Sequence, residues 1–537
     1  MTTTRSIPVL LGLGILAACY SPKTSKESAD TDVYRILESS SARTVGERRK
    51  LAVERPIDTL RKRLIASPTP IMLTLVEVLD IAGENSREFQ TQKESLFTAA
   101  LNLTRNQNDF SWRFGGTSVD NVSGIGDDSS NYRVGEGLNA QANSTAGTRL
   151  VANFVQTFLK SVIHGGNFDG GSILDLTLTQ PLLRGAGRRI AREPLTQAER
   201  DVIYAMRAFE RFRAQTAVDV TSTYWNLVRQ MRDLDNVERN YVSLRTSREL
   251  IEELYNAGRK TINDLGRAKT SEYQADAQRV VARNQLQNAL DQFKLTLGLP
   301  TAAQLMLDPS EMQKLIDAGV EDLTIAEADA IHLSLQRRYD FRTALDQVED
   351  AGRRVIVAED ALNMQLDLTA AVSVPAEAGK GPNLDWSKVN WSAGFNLDLA
   401  LNRVPARNAH RSSLITFDRA VRTREQSEDQ LTVGVRTAMR NINAQITNFR
   451  IQLESLPLAE QRVEATTDLY AAGRVAALDK LDAQAALLQA QLSRNAAIVS
   501  YAQARLQLMN NLEAIQLESH GLRYDMNLSV PTPKTAE

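Results

Sequence analysis

One turn-like motif occurs twice in this chain, once in each half. Residues 254–259 read Leu-Tyr-Asn-Ala-Gly-Arg, and residues 469–474 read Leu-Tyr-Ala-Ala-Gly-Arg. The match continues beyond the motif, because Asp264 and Asp479 stand at the same offset. A unit this long that occurs only twice is not a short-period solenoid. The sequence therefore predicts an internally duplicated architecture, with a first repeat over 73–322 and a second over 323–515.

Composition excludes one class of partner and favours one class of structure. The formal net charge is -2 and 24% of the residues are charged, so the chain has no large basic field. Nucleic acid is therefore not an expected partner. Aromatic residues make up only 6% of the chain, which suits helices packed on helices.

The amino terminus has the pattern of an export signal. A short apolar run follows Arg5 and ends in Leu-Ala-Ala before Cys19, the only cysteine. This predicts a signal peptide over 1–18 and lipidation of Cys19. A signal peptide without lipidation and an inert buried thiol are the alternatives. Residues 19–72 are polar and close on Ser-Pro-Thr-Pro, which predicts a tether, and 516–537 form a carboxy-terminal tail.

Hydrophobic periodicity predicts long helices and short strands in each half. Apolar residues recur every three or four positions in the predicted helices, over 73–107, 195–255, 263–297, 324–362, 412–469 and 475–513. Alternating residues predict four strands, around 110–114, 174–179, 366–374 and 391–401. Residues 118–150 are rich in Gly, Ser and Asn and are predicted as a long exposed loop, with a further strand or hairpin edge left open over 151–160. The fold class is mainly α with a β contribution.

Four strands in one chain cannot close a barrel, and open edges are not tolerated in lipid. Three copies would supply twelve strands, which lies within the range of outer-membrane barrels. The alternative is a small soluble sheet on a helical bundle.

The order of elements, the Gln-Pro-Leu-Leu strand end at 180–183 and the paired Tyr-x-x-Gly turns resemble the TolC-like outer-membrane efflux protein family. This resemblance covers about residues 70–515. It implies a homotrimer in outer-membrane lipid, with a twelve-stranded barrel and an α-helical tunnel across the periplasm. It also implies a periplasmic adaptor protein and an inner-membrane pump or ABC exporter as partners.

The resemblance also implies site residues. Asp479 and Asp482 match the aspartates that ring the closed periplasmic aperture, and Asp264 matches the aspartate tied to the turn tyrosine. One position departs from the family, because Val475 stands where the prototype has arginine; Arg474 is adjacent. The tip contacts are assigned to Tyr470, Arg474 and Asp264, and the adaptor-docking turns to Tyr255, Gly258, Arg259 and Gly473.

A gate at the two aspartates is physically reasonable. Asp479 and Asp482 are three residues apart and share one helix face, so a trimer would gather six carboxylates around one axis. Such a ring would attract cations and could be blocked by divalent ions. The alternative is a pair of solvated surface acids. The hypothesis is a closed tip held by Tyr470 and Arg474 against Asp264 of a neighbouring helix, opened by adaptor docking.

The sequence offers no active site. The four histidines are scattered without metal spacing, and Gly185-Ala186-Gly187 is a lone Gly-x-Gly without the rest of a nucleotide-binding pattern. No enzyme activity, cofactor or metal is therefore expected. The competing function is a secreted or surface coiled-coil scaffold. The sequence does not choose among drugs, metal ions and proteins as exported cargo.

Overall fold

The computed structural model describes residues 21–48, 52–54, 59–66, 70–125, 129–161, 169–376, 383–399, 401–518 and 521–524. The predicted signal peptide and Cys19 lie outside these residues, so export and lipidation stay predictions.

Long helices make up most of the described chain. Their apolar residues recur at the spacing that brings one face of a helix against its neighbours. None of the described helices is both long enough and apolar enough to cross a membrane. The helices are α1 (Pro22–Val45), α2 (Leu60–Ala66), α3 (Leu75–Asn85), α4 (Arg87–Asn108), α5 (Arg188–Ala191), α6 (Glu193–Asn256), α7 (Ile262–Thr296), α8 (Ser310–Ala318), α9 (Glu327–Arg337), α10 (Tyr339–Asp360), α11 (Val404–Ala471) and α12 (Ala477–Asn511).

The helices of the two halves agree in order and in length. Helices α3 and α4 have 11 and 22 residues, and so do α9 and α10. The long helices α6 and α11 have 64 and 68 residues, and each is followed by a helix of 35 residues, α7 or α12. Four helices of the first half therefore have counterparts of similar length in the second half, whereas α1, α2, α5 and α8 have none among the described residues.

The strands form one large antiparallel sheet and two small pairs. The large sheet has six strands in the order β2-β3-β4-β5-β7-β8. A short parallel pair joins β1 to β6, and β9 pairs with β10. The strands are β1 (Ile71–Leu73), β2 (Arg113–Ile125), β3 (Ser129–Asn143), β4 (Arg149–Ser161), β5 (Asp169–Pro181), β6 (Leu305–Leu307), β7 (Gln365–Pro375), β8 (Asn390–Asp398), β9 (Ile515–Glu518) and β10 (Gly521–Tyr524).

The prediction of four strands is wrong, because the sheet has six. The loop predicted over 118–150 contains the end of β2 and the whole of β3, and the open question over 151–160 is answered by β4. Strand β3 reads Ser-Ser-Asn-Tyr-Arg-Val-Gly-Glu-Gly-Leu-Asn-Ala-Gln-Ala-Asn, which has low intrinsic β-propensity. Its strand conformation comes from pairing on both sides, with β2 and with β4. The predicted twelve-stranded barrel used four strands per copy, and the number of strands that enter a barrel stays a prediction.

Part of the predicted tether is a packed helix. Helix α1 begins after Ser21, whose hydroxyl accepts a hydrogen bond from the Thr24 N–H at 3.2 Å, and Pro22 opens its first turn. Val33 and Leu37 are buried. The composition gave little sign of this helix, because a few apolar residues fix its position while its other side chains are polar.

The chain divides into two compact units. The first unit comprises the described residues of Met1–Leu51, Ser95–Arg207 and Thr343–Glu425. It contains the six-stranded sheet.

Charged side chains join α6 to α10 within the first unit. Arg200 pairs with Asp350 at 2.8 Å, and Arg207 pairs with Asp346 at 2.6 Å. The hydroxyl of Tyr204 donates to the Asp350 carboxylate at 2.7 Å. Because Asp350 is buried, these partners offset the desolvation of its charge.

The second unit comprises the described residues of Ala52–Glu94, Ala208–Arg342 and Gln426–Glu537. Its largest core surrounds the β1–β6 pair. Tyr224 is fully buried there and donates its hydroxyl hydrogen to the Leu73 carbonyl at 3.0 Å. Two turns also lie in this unit. One joins α6 to α7, and the other joins α11 to α12.

Candidate functional site

The two repeated turns have the same backbone structure. Gly258 N–H donates to the Tyr255 carbonyl at 2.9 Å, and Gly473 N–H donates to the Tyr470 carbonyl at 3.0 Å. Both glycines have positive φ, 72° and 70°, a conformation that side chains disfavour. The glycine of the motif therefore recurs because each helix ends in the same left-handed turn.

The two turn tyrosines differ in burial. Tyr255 is 36% exposed, whereas Tyr470 is 9% exposed. The ring of Tyr470 belongs to a small apolar cluster at the ends of the long helices, with Ile251, Leu265 and Leu481 among its members. Tyr470 therefore packs with residues of both helix pairs, and it is the aromatic side chain among the buried residues of this cluster.

Two lysines stack on the buried tyrosine. The Lys260 ammonium lies 4.7 Å from the centre of the Tyr470 ring, and the Lys480 ammonium lies 5.5 Å from it. Both distances are within the range of cation–π attraction. Burial lowers the pKa of Lys480. The Tyr470 hydroxyl is buried and has no hydrogen-bond partner among the described residues.

Asp264 caps its own helix. Its carboxylate accepts hydrogen bonds from the Thr261 N–H at 3.1 Å and from the Thr261 hydroxyl at 2.8 Å. The Thr261 hydroxyl in turn accepts from the Asp264 N–H at 3.2 Å, which completes a capping box. These bonds from Thr261 lower the pKa of Asp264.

The predicted lock is thus only partly assembled within one chain. Tyr470 and Asp264 both lie near the two turns, but Asp264 hydrogen-bonds to Thr261, and the Tyr470 ring packs in the apolar cluster and beneath two lysines. Arg474 is exposed. A contact between neighbouring copies stays a prediction. Lys260 is not among the predicted tip residues, and its place directly after Arg259 in the turn is the signal for it in the sequence.

The two predicted gate carboxylates are both exposed at the start of α12. The Asp479 carboxylate accepts a hydrogen bond from the Ala476 N–H at 2.9 Å, which fixes it at the helix amino terminus. Asp482 lies one turn further along the helix and is exposed. Helix geometry therefore sets both carboxylates on neighbouring positions of one surface.

In the part of the chain that the structure describes, no cluster of three or more His, Cys, Asp or Glu side chains is arranged to hold an ion.

Comparison with known proteins identifies relatives. Residues 330–512 match the family described as outer membrane efflux protein. The chain is 24% identical to the outer membrane protein TolC of Escherichia coli (strain K12) over 296 residues. That match covers 52% of this chain and 57% of TolC, so the chain spans little more than half of that relative.

Solved structures share the fold. The outer membrane channel CmeC of Campylobacter jejuni superposes with a TM-score of 0.61 at 14% identity, over 82% of this chain and 85% of that one. The outer membrane protein VceC of Vibrio cholerae gives a TM-score of 0.60 at 16% identity, over 82% and 95%. The resemblance to TolC-like outer-membrane efflux proteins is confirmed by these matches.

Proposed function

Because this chain resembles the TolC-like outer membrane efflux proteins, we propose that it is the outer-membrane exit duct of a tripartite efflux or secretion system. It acts as a homotrimer, anchored in outer-membrane lipid and by acylated Cys19. A periplasmic adaptor protein couples it to an inner-membrane pump or ABC exporter. The observation that carries the proposal is that one chain has both an exposed apolar sheet face and two helix pairs, each joined by a turn of the same structure.

One face of the sheet is mainly apolar, and the opposite face is mainly polar or small, with Val119, Val155 and Ile173 among the exceptions. Cross-strand pairing places Leu176, Val372 and Trp391 in one row on the same face. Trp391 is 78% exposed and Phe395, also on this face, is 70% exposed. The opposite face carries polar and small side chains in the same strands, including Thr177, Ala371 and Ser392. An exposed apolar patch of this kind is typical of a membrane or protein interface, and the polar face suits a water-filled lumen.

Strand edges supply the reason for assembly. Strands β2 and β8 each pair on only one side within the described chain. An unpaired edge is not stable in lipid, whereas pairing β2 of one copy with β8 of the next would close a ring. This head-to-tail pairing supports the homotrimer that the family resemblance implies.

The gate is proposed at the second turn. In three copies, Asp479 and Asp482 would form a ring of six carboxylates that selects cations and narrows the tunnel. The closed state is held by the packing of Tyr470 against Lys260 and Lys480, and opening requires this cluster to separate. The adaptor docks on the exposed surface of the turns, at Tyr255, Gly258, Arg259 and Gly473.

The competing scaffold function is less well supported. A coiled-coil scaffold explains the long helices, but it gives no role to large apolar side chains such as Trp391 and Phe395 that face outward from the sheet. Their exposure favours a membrane-embedded sheet over a soluble one.

The proposal is tested by a pair of lysine substitutions on neighbouring residues of β8. Trp391→Lys places a charge on the apolar face, at a cost of about 2–4 kcal/mol if that face meets lipid. Ser392→Lys places the same charge on the polar face. We expect the wild-type chain and Ser392→Lys to accumulate as trimers in the outer membrane and to conduct ions in planar bilayers, and Trp391→Lys to be depleted.

Two results would contradict the proposal. One is an unmodified chain that fractionates as a soluble protein, and the other is equal outer-membrane trimer yield for the two lysine variants. Native mass spectrometry of the purified oligomer gives the copy number in each case.

A further inference from the structure

The hairpin formed by β3 and β4 is a full part of the sheet. Strand β3 has 15 residues and β4 has 13, as many as or more than the 13 residues of each flanking strand, β2 and β5. The hairpin lies between those two strands in the sheet order. The hairpin therefore widens the sheet by two strands and does not project from the sheet as a separate extension.

The turn of this hairpin is fixed at the helical end of the sheet. The Ala146 carbonyl accepts a hydrogen bond from the Gly187 N–H at 3.3 Å, and Thr148 hydrogen-bonds through its hydroxyl to the Gln180 side chain. Gly147 has a φ of 96°, and a Cβ there would lie 2.8 Å from the Gly185 carbonyl oxygen. The turn is thus packed against the connection from β5 to α5, at the level where β5 itself ends.

The apolar face continues across the hairpin. Each of the strands β3, β4 and β5 carries three consecutive apolar positions on this face, and the next position outward is polar in all three. The apolar rows are Leu138–Phe154–Leu174, Ala140–Ala152–Leu176 and Ala142–Leu150–Leu178, and the polar row is Glu136–Gln156–Ser172. A hairpin surrounded by water would not need its apolar positions to line up with those of β5.

The stagger of the strands fits a barrel that contains all six. A row of paired residues that starts at Arg113, the first residue of β2, reaches Ser392 in β8. Strand β8 ends at Asp398, so its helical end lies six residues beyond that row. Six residues of strand are about 20 Å, and six strands are about 24 Å across. The resulting tilt is about 40°, within the range of closed barrels.

We propose that all six strands of each copy enter the barrel wall, so that three copies close an eighteen-stranded barrel. This rests on the proposed homotrimer. Since barrel diameter grows roughly linearly with strand number, the lumen would be about 1.5 times as wide as one built from four strands per copy.

The first test is cysteine labelling in intact outer membranes. Leu138→Cys lies on the apolar face of the hairpin and Asn139→Cys on the other face; Leu176→Cys and Thr177→Cys are the matched pair in β5. The wild-type chain, whose single cysteine is Cys19, is the blank. We expect a water-soluble maleimide to label Asn139→Cys and Thr177→Cys. We expect it not to label Leu138→Cys or Leu176→Cys.

The outcomes separate the two proposals. Labelling of Leu138→Cys with protection of Leu176→Cys would put the hairpin outside the bilayer and overturn the eighteen-stranded barrel alone. Labelling of both leucine positions would overturn the membrane sheet, and with it the proposed function.

The second test measures the barrel directly. Deleting 129–161 removes one strand of each direction, so β2 and β5 remain antiparallel, with Phe114 and Leu176 already in one row. End-on views of purified trimers by electron cryo-microscopy should give a diameter about 1.5 times larger for the full chain than for the deletion variant. Equal diameters would overturn the proposal. If the deletion variant yields no trimer, the strand count of the full chain alone decides, and twelve strands would contradict the proposal.

Discussion

The two turns share a backbone and differ in their side chains. Residues 254–269 carry four basic side chains and one acidic one, whereas residues 469–484 carry two of each sign. At the position where the second turn region has Asp482, the first has Arg267. The first turn region therefore carries more positive charge than the second, which alone has two carboxylates; this difference fits the proposed docking turn and the proposed cation gate.

The helix starts after the two turns differ as well. Helix α7 begins with the capping box of Thr261 and Asp264. Helix α12 has Ala476 at the equivalent place, so Asp479 caps it alone. In the second half, the buried Tyr470 packs beside this helix start, whereas the matching Tyr255 is exposed. The proposed gate would open by separation of the apolar cluster around Tyr470 and of its two lysine contacts.

The largest expected effect comes from the buried ring. Tyr470→Ala removes the centre of the tip cluster and should lower the free energy of local unfolding by about 3 kcal/mol. Tyr255→Ala, at the matching exposed position, should change it by less than about 0.5 kcal/mol. Hydrogen exchange of the amides in 244–268 measures both. Equal loss of protection in the two variants would show that packing of Tyr470 stabilises the turns no more than Tyr255 does.

The next largest effect comes from the helix caps. We expect substitutions at the two cap positions to change helix stability in opposite directions. Thr261→Ala should destabilise the start of α7 by about 1 kcal/mol, because the Asp264 N–H loses its acceptor. Ala476→Thr should stabilise the start of α12 by up to about 1 kcal/mol by supplying the missing hydroxyl. Exchange rates in the first turn of each helix report the change. If Ala476→Thr leaves the exchange rates unchanged, the N–H groups at the start of α12 already have other hydrogen-bond acceptors.

The smallest effect comes from the lysines. Lys260→Met keeps most of the side-chain bulk and removes the charge over the Tyr470 ring, which should cost about 0.5–1 kcal/mol of tip stability. Lys314→Met, an exposed lysine that pairs with Glu311, is the matched control. The same exchange measurement should separate them, and identical protection of the tip in both variants would argue against a cation–π contribution.

The sequence predicted those parts that local pattern controls. Periodicity predicted the long helices, and the clean alternation of 391–401 predicted β8. It did not predict β3, whose Gly- and Asn-rich residues become a strand only through pairing on both sides, nor α1, which Val33 and Leu37 hold in place. At the tip, the glycines followed from turn geometry. The lysine contacts to Tyr470 did not, because they depend on how two distant helix pairs pack together.

The most direct test of the account is ion selectivity of the purified trimer in planar bilayers. Asp479→Asn with Asp482→Asn removes both gate charges and retains the capping acceptor of Asp479. The control is Asp235→Asn with Asp291→Asn, two exposed acids that pair within their own helices. We expect the gate variant to lose cation selectivity and block by divalent ions, with the control like the wild type. Unchanged selectivity in the gate variant would contradict a gate at the second turn.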